Sequence, residues 1–286
     1  MERRYSSVSG VGLPGRVGLL PLVLCALALA ACTSAPRIDT RYSAESQGSR
    51  VQFIILHFTW DDWENSLRIL TEGPVSSHYL VRDDPVRIYR LVDESQRAFH
   101  AGESAWKGHG SLNAASIGIE IVNAGNRLAE EGIDWQPYPD AQIDAVIELV
   151  RWIAERHGVR PENILGHSDI APQRKVDPGP RFPWHRFAEA GLIPWPDDTA
   201  VQATRAAFEA VLPDVAWFQD RLAGHGYRVP RHGMLDEETR RVIAAFQMRY
   251  RPTRHDGSPD AETAAILAVL TSSSDLRSPE LSAEAD

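Results

Sequence analysis

Hydrophobic residues are spaced so as to mark out two folded regions. Val51-Gln52-Phe53-Ile54-Ile55-Leu56-His57-Phe58 is β-rich and almost wholly apolar, the pattern of a strand covered on both faces. A short helix is expected around Ser66–Leu70, ended by Gly73-Pro74. Residues 77–82 and 86–92 read as strands joined by the Asp83-Asp84-Pro85 turn. Residues 117–122 read as another strand, ended by Asn123-Ala124-Gly125. Over 140–157, Ile143, Val146, Ile147, Val150, Ile153 and Ala154 recur at helical spacing, and Gly158 supplies the stop. Ile164-Leu165-Gly166-His167 ends a short strand and leads into a Pro-rich loop reaching Pro180. Mixed strands and helices imply an α/β (α+β) fold with a central mixed β-sheet flanked by helices.

Beyond a poorly patterned connector with an Ala-rich helical piece, the chain carries a self-similarity. Gly233-Met234-Leu235-Asp236-Glu237-Glu238-Thr239 and Gly257-Ser258-Pro259-Asp260-Ala261-Glu262-Thr263 share the pattern G-x-x-D-x-E-T. In each, a Gly turn leads to an Asp N-cap that opens an apolar helix. With an earlier helix at 215–223, these make a small three-helix domain. The expected divisions are 1–31, 32–49, 50–196, 197–212, 213–271 and a disordered acidic tail at 272–286. The three-helix domain is expected to be separable, so that a chain ending near Pro196 still folds.

The N-terminus changes the reading of location. Arg3, Arg4 and Arg16 precede an apolar run from Val17 to Ala31, closed by Leu29-Ala30-Ala31-Cys32. A charged segment followed by a short apolar one is the form of a signal peptide. Its end resembles a bacterial lipobox, which implies cleavage before Cys32 and lipid on its thiol. Residues 32–49 then form a tether. No Asp follows Cys32. The resemblance to Gram-negative lipoproteins therefore implies an outer-membrane lipoprotein facing the periplasm.

A length of 286 residues suits one large domain or two modest ones. A composition 43% hydrophobic and 24% charged excludes a disordered chain and a polytopic membrane protein. The formal net charge of −9 argues against a nucleic-acid partner. The only cysteines are Cys25 and Cys32, so the folded body has no disulfide, thiol nucleophile or Cys metal ligand. Any metal site uses His, Asp or Glu. His57 and His167 stand at strand ends, and Asp177 follows in the loop. Two imidazoles and a carboxylate at one rim of a sheet can hold Zn²⁺ and leave a fourth position for water. Ordinary capping and core roles fit the same spacing.

Three segments resemble the zinc-dependent N-acetylmuramoyl-L-alanine amidases, which share their fold with peptidoglycan recognition proteins and phage T7 lysozyme. They are His57-Phe58-Thr59, Ser116-Ile117-Gly118-Ile119-Glu120, and the run from Gly166-His167-Ser168-Asp169 to Lys175-Val176-Asp177-Pro178-Gly179-Pro180. Arg90-Leu91-Val92, Phe99-His100-Ala101-Gly102 and Phe182-Pro183-Trp184 extend the likeness over about 50–196. The resemblance implies His57, His167 and Asp177 as Zn²⁺ ligands, Glu120 as the catalytic carboxylate and Lys175 as the basic residue beside the metal. It places His100 at the cleft as a substrate-binding candidate, with a structural role equally open. His78 reads as a core residue and Asp169 as a loop organiser. Some relatives carry a Tyr where this chain has Ser77, or a Cys where it has Asp177, so neither variant chemistry is expected. Tyr227, Gly233, Asp236, Thr239 and Phe246-Gln247 resemble a three-helix peptidoglycan-binding domain. The implied substrate is peptidoglycan or muropeptides, with the membrane met through lipid and no protein partner implied. The rival readings are a non-catalytic peptidoglycan-binding lipoprotein, a cytoplasmic recycling amidase, and a structural link between membrane and wall.

Overall fold

In a computed structural model, residues 36–129 and 132–275 are described. The apolar N-terminal run, Cys32 and the end of the acidic tail lie outside them. Residues 36–47 belong to a unit separate from the rest. They are irregular and exposed, with Arg41 paired to Asp39.

From Gly48 onward the chain is one compact unit. In order, its elements are β1 (Phe53–Phe58), α1 (Trp63–Glu72), β2 (Tyr79–Arg82), β3 (Arg87–Arg90), β4 (Ala105–Trp106), β5 (His109–Gly110), β6 (Ser116–Ile121), β7 (Asn126–Ala129) and β8 (Gly132–Trp135). Then come α2 (Asp140–His157), β9 (Ile164–Gly166), α3 (His167–Ile170), α4 (Trp184–Glu189), α5 (Asp198–Ala210), α6 (Val215–His225), α7 (Glu237–Tyr250) and α8 (Ala261–Asp275). Five strands form the central sheet in the order β3-β2-β6-β1-β9. Only β3 runs antiparallel to its neighbour, so the sheet is mixed.

The apolar character of β1 follows from what covers it. Ile54 and Leu56 face a core built with Ile143, Val146, Val150 and Ile153 of α2 and with Phe187 of α4. Phe53 and Ile55 face the opposite core, which holds Phe218, Leu222, Tyr227, Val242 and Phe246 of the C-terminal helices. The C-terminal helices thus share a core with the catalytic part, meeting it where Trp106 packs on His225 and Tyr227 and where α3 and α4 lie against α7. A chain cut near Pro196 would uncover Trp106 and the outer side of α3.

The repeated motif has a clear physical basis. Asp236 and Asp260 accept hydrogen bonds from the Thr239 and Thr263 amides, both at 2.8 Å, capping α7 and α8. In each copy a buried glutamine joins the turn to the cap. The Gln219 amide oxygen accepts from Gly233 N and its Nε2 donates to Thr239. Gln247 does the same with Gly257 and Thr263. The Phe-Gln pair before each Gly turn, at 218–219 and 246–247, is therefore part of the repeat.

Several elements differ from the sequence reading. The strand expected over 86–92 is only Arg87–Arg90. The connector contains a full helix, α5, capped by Asp197, whose side chain accepts from Ala200 N. Helix α8 runs to Asp275, past the expected start of the tail.

Candidate metal centre and active site

The parallel register brings the site together. His57 of β1 pairs with Glu120 of β6 across neighbouring strands, and Leu56 pairs with Gly166 of β9. His167 follows Gly166 directly, as the first residue of α3. Asp177 returns to this rim through the loop, where its carbonyl accepts from Ser168 N at 2.8 Å.

His57, His167 and Asp177 are all buried and offer one ligand atom each within 4.8 Å of one another. His57 Nδ1 lies 2.9 Å from His167 Nδ1 and 3.1 Å from Asp177 Oδ2, and His167 Nδ1 lies 3.0 Å from the same oxygen. The outer partners of the rings decide what these atoms carry. His167 Nε2 lies 3.3 Å from the Ala101 carbonyl, an acceptor, and 3.4 Å from Arg174 Nη2, a donor. Ser116 Oγ donates to Leu112 O at 2.8 Å and accepts from His100 Nε2 at 3.1 Å. His100 Nδ1 is thereby the acceptor for His57 Nε2–H at 3.0 Å. His57 Nδ1 therefore presents a lone pair, beside His167 Nδ1 and a carboxylate oxygen. Two ring nitrogens and a carboxylate oxygen this close in a buried space are a ready set of donors for a cation. Ligand atoms around a tetrahedral ion with bonds of about 2.0 Å are roughly 3.3 Å apart, close to the spacing here. The donor set fits a metal of the zinc class.

Burial lowers the His57 imidazole to about 4, with His167 adding to the effect. Burial also opposes charge on Asp177, yet His167 and His57 hold its carboxyl far below the usual range. The His57 ring thus stays neutral and the Asp177 carboxylate charged.

Glu120 stands on the other side of His57. Its Oε2 is buried without a hydrogen-bond partner. Burial, then repulsion from Asp177, raises its carboxyl well above the ordinary value, and Lys175 opposes the rise. Lys175 is half-buried, and its charge is felt by both Glu120 and His57.

His100 does not line an open cleft. It is 8% exposed and lies behind His57, where its ring faces the first ligand rather than substrate. Its backbone N–H and that of Ala101 both donate to Asn113 Oδ1. Gly118 has no side chain because a Cβ there would collide with the His100 ring. His78 is fully buried, and its Nδ1 accepts from Gly118 N at 3.0 Å. Asn113 and Tyr138 escaped the sequence reading, as did the role of Ser116. Tyr138 donates to Pro178 O at 2.8 Å, and its hydroxyl is raised by burial and then by Asp177 and Glu120.

Residues 47–180 match the family model described as N-acetylmuramoyl-L-alanine amidase. Residues 212–267 match a putative peptidoglycan binding domain. The chain is 43% identical over 266 residues to the N-acetylmuramoyl-L-alanine amidase AmiD of Escherichia coli K12, covering 87% of this chain and 95% of that one. The chain belongs to the N-acetylmuramoyl-L-alanine amidase family. Solved structures of other family members share its architecture. AmpDh3 of Pseudomonas aeruginosa superposes with a TM-score of 0.76 at 38% identity, over 84% of this chain and 99% of that one. AmiD of E. coli, solved as a complex with anhydro-N-acetylmuramic acid-L-Ala-D-gamma-Glu-L-Lys, gives 0.74 at 41% identity, over 82% of this chain and 94% of that one. In both comparisons the shared part of the chain extends well beyond the stretch matched by the amidase family model.

Proposed function

We propose that this chain hydrolyses the amide bond between N-acetylmuramic acid, including its anhydro form, and L-alanine in peptidoglycan and muropeptides. The observation that carries the reading is the convergence of three buried donor atoms at His57, His167 and Asp177 beside the unpartnered Glu120 Oε2. These three residues would hold Zn²⁺. When bound, zinc supplies Lewis acidity, polarising the scissile carbonyl and acidifying the attacking water.

Glu120 takes the proton of that water on Oε2 as the oxygen attacks the carbonyl carbon. Lys175 places positive charge near the carbonyl oxygen as negative charge develops there. The C–N bond then breaks. Glu120 returns its proton to the alanine nitrogen, leaving a lactyl carboxylate on the sugar and a free peptide amine. The raised carboxyl of Glu120 suits a group that must both accept and release a proton.

Lipid on Cys32 would hold the enzyme on the outer membrane, facing the periplasm. The C-terminal helices would add a second contact with the wall. A non-catalytic receptor on this fold has no use for a buried carboxyl with an unpartnered oxygen beside three metal donors. The test is mass spectrometry of products from defined muropeptides, with and without a chelator, beside metal analysis of the purified protein. Free stem peptide released only without chelator supports the reading. Intact substrate with zinc-loaded protein overturns it.

A further inference from the structure

The turn that carries His167 is gripped from outside the catalytic sheet. Asp169, two residues on, is 1% exposed, and its carboxylate accepts three hydrogen bonds. One comes from the Gly166 amide at 2.8 Å and closes the turn at the end of β9. The other two cross from the C-terminal region, one from the loop after α6 and one from α7. The Tyr227 hydroxyl donates to Oδ1 at 2.6 Å, and Arg249 Nη1 donates to Oδ2 at 2.7 Å. Arg249 also donates through Nη2 to the Ile164 carbonyl at 3.1 Å, and its guanidinium lies over the Trp184 ring at 4.0 Å. One buried cation thus holds both the start of β9 and the cap of α3.

The same loop is tied a second time, four residues before Asp177. Gln173 Nε2 donates to Glu238 O at 3.0 Å, and Arg241 Nη1 donates to Gln173 O at 2.8 Å. Both partners lie on α7.

A carboxylate this deeply buried is costly unless charge and hydrogen bonds compensate it. Among the described residues its ion-pair partner is Arg249. The backbone beneath it has no slack, since a Cβ on Gly166 would come within 2.7 Å of Pro178 and 3.2 Å of Trp184. A shift of Asp169 therefore passes to Gly166 and to His167 next to it. Outer partners of a metal ligand set its orientation, and losing one typically weakens metal binding by 10- to 100-fold.

We infer that Tyr227 and Arg249 are positioning residues for His167, so that the C-terminal helices complete the metal centre. This rests on reading His57, His167 and Asp177 as the zinc ligands. The test compares zinc affinity, by competition with a chelating dye, in full-length wild type, Tyr227→Phe, Arg249→Met and Arg231→Met. Arg231 pairs with Asp220 on the exposed face of the same helices and serves as the control. The expected result is a loss of about tenfold in Tyr227→Phe and Arg249→Met, with none in Arg231→Met. Should Arg249→Met fail to fold, Tyr227→Phe decides, because it removes one oxygen and keeps the ring. Wild-type affinity in folded Tyr227→Phe protein overturns the inference, whatever its melting temperature. If wild type itself binds no zinc, the ligand assignment falls. The inference is then read from amide exchange at Gly166 in metal-free protein. Faster exchange in Tyr227→Phe than in Arg231→Met upholds it, and equal exchange overturns it.

Discussion

His57 and Glu120 are register partners on adjacent parallel strands, so a proposed metal ligand and a proposed proton carrier share one face of the sheet by backbone pairing alone. No loop has to close to bring them together. Sliding β6 by one residue would turn Glu120 to the other face. This pairing makes the two roles separable by mutation. Glu120→Gln keeps the shape of the side chain and lacks the base. It should bind zinc as wild type does and lose at least about 10²-fold in kcat. Metal analysis and stopped assays on one preparation check both halves.

His100 should matter for the metal without touching substrate. In His100→Leu, the His57 Nε2–H loses its acceptor, and the ring is free to take the wrong tautomer. Zinc affinity should fall about 10- to 100-fold, while KM of the zinc-saturated enzyme stays within about twofold. Calorimetric titration with zinc and steady-state kinetics separate this from a substrate contact, which would raise KM.

Acid stability should depend on His225. Burial, then Arg249 and Lys107, lower its imidazole to about 3 from an ordinary 6.5. Its Nε2 lies 3.2 Å from the Tyr250 hydroxyl. The folded ring thus stays neutral where the unfolded one takes a proton. Its contribution is fully present above pH 6.5 and is lost as pH falls from there toward 3. The slope for one proton is about 1.4 kcal/mol per pH unit. Melting curves of His225→Phe between pH 4 and 7 should show a shallower slope than wild type. Part of the slope persists, because His78 is also lowered to about 4, chiefly by burial.

Cys32→Ser should leave the folded body unchanged and move the protein from membranes to the soluble fraction. A buried acyl chain contributes about 0.8 kcal/mol per CH₂, and the variant carries none. Fractionation with labelled palmitate checks it. A variant that stays in membranes points to an uncleaved apolar segment.

The central sheet was legible because strands such as 51–58 and 117–122 are long apolar runs, and α2 has an unbroken helical period. The rim residues were legible because the His167–Asp177 loop is a long and specific motif. The hairpins β4–β5 and β7–β8 were not, since strands of two to four residues leave no alternation to detect. The placement of His100 was hidden for another reason. It lies on an irregular loop, and its partners His57 and Ser116 stand on two different strands, so no local pattern announces the contact. Nor could spacing show that Phe53 and Ile55 share a buried cluster with the C-terminal helices. Apolar residues on both faces say that a strand is covered, not what covers it.

The buried pair of Asp169 and Arg249 also limits how such chains can be shuffled. Its two halves lie eighty positions apart, in segments matched by two different family models. Recombination that exchanged the C-terminal segment for one without an arginine at the matching place would strand a carboxylate next to His167. The graft would then need a neutral residue at 169 to be tolerated. Natural or engineered hybrids of this chain should therefore change these two positions together.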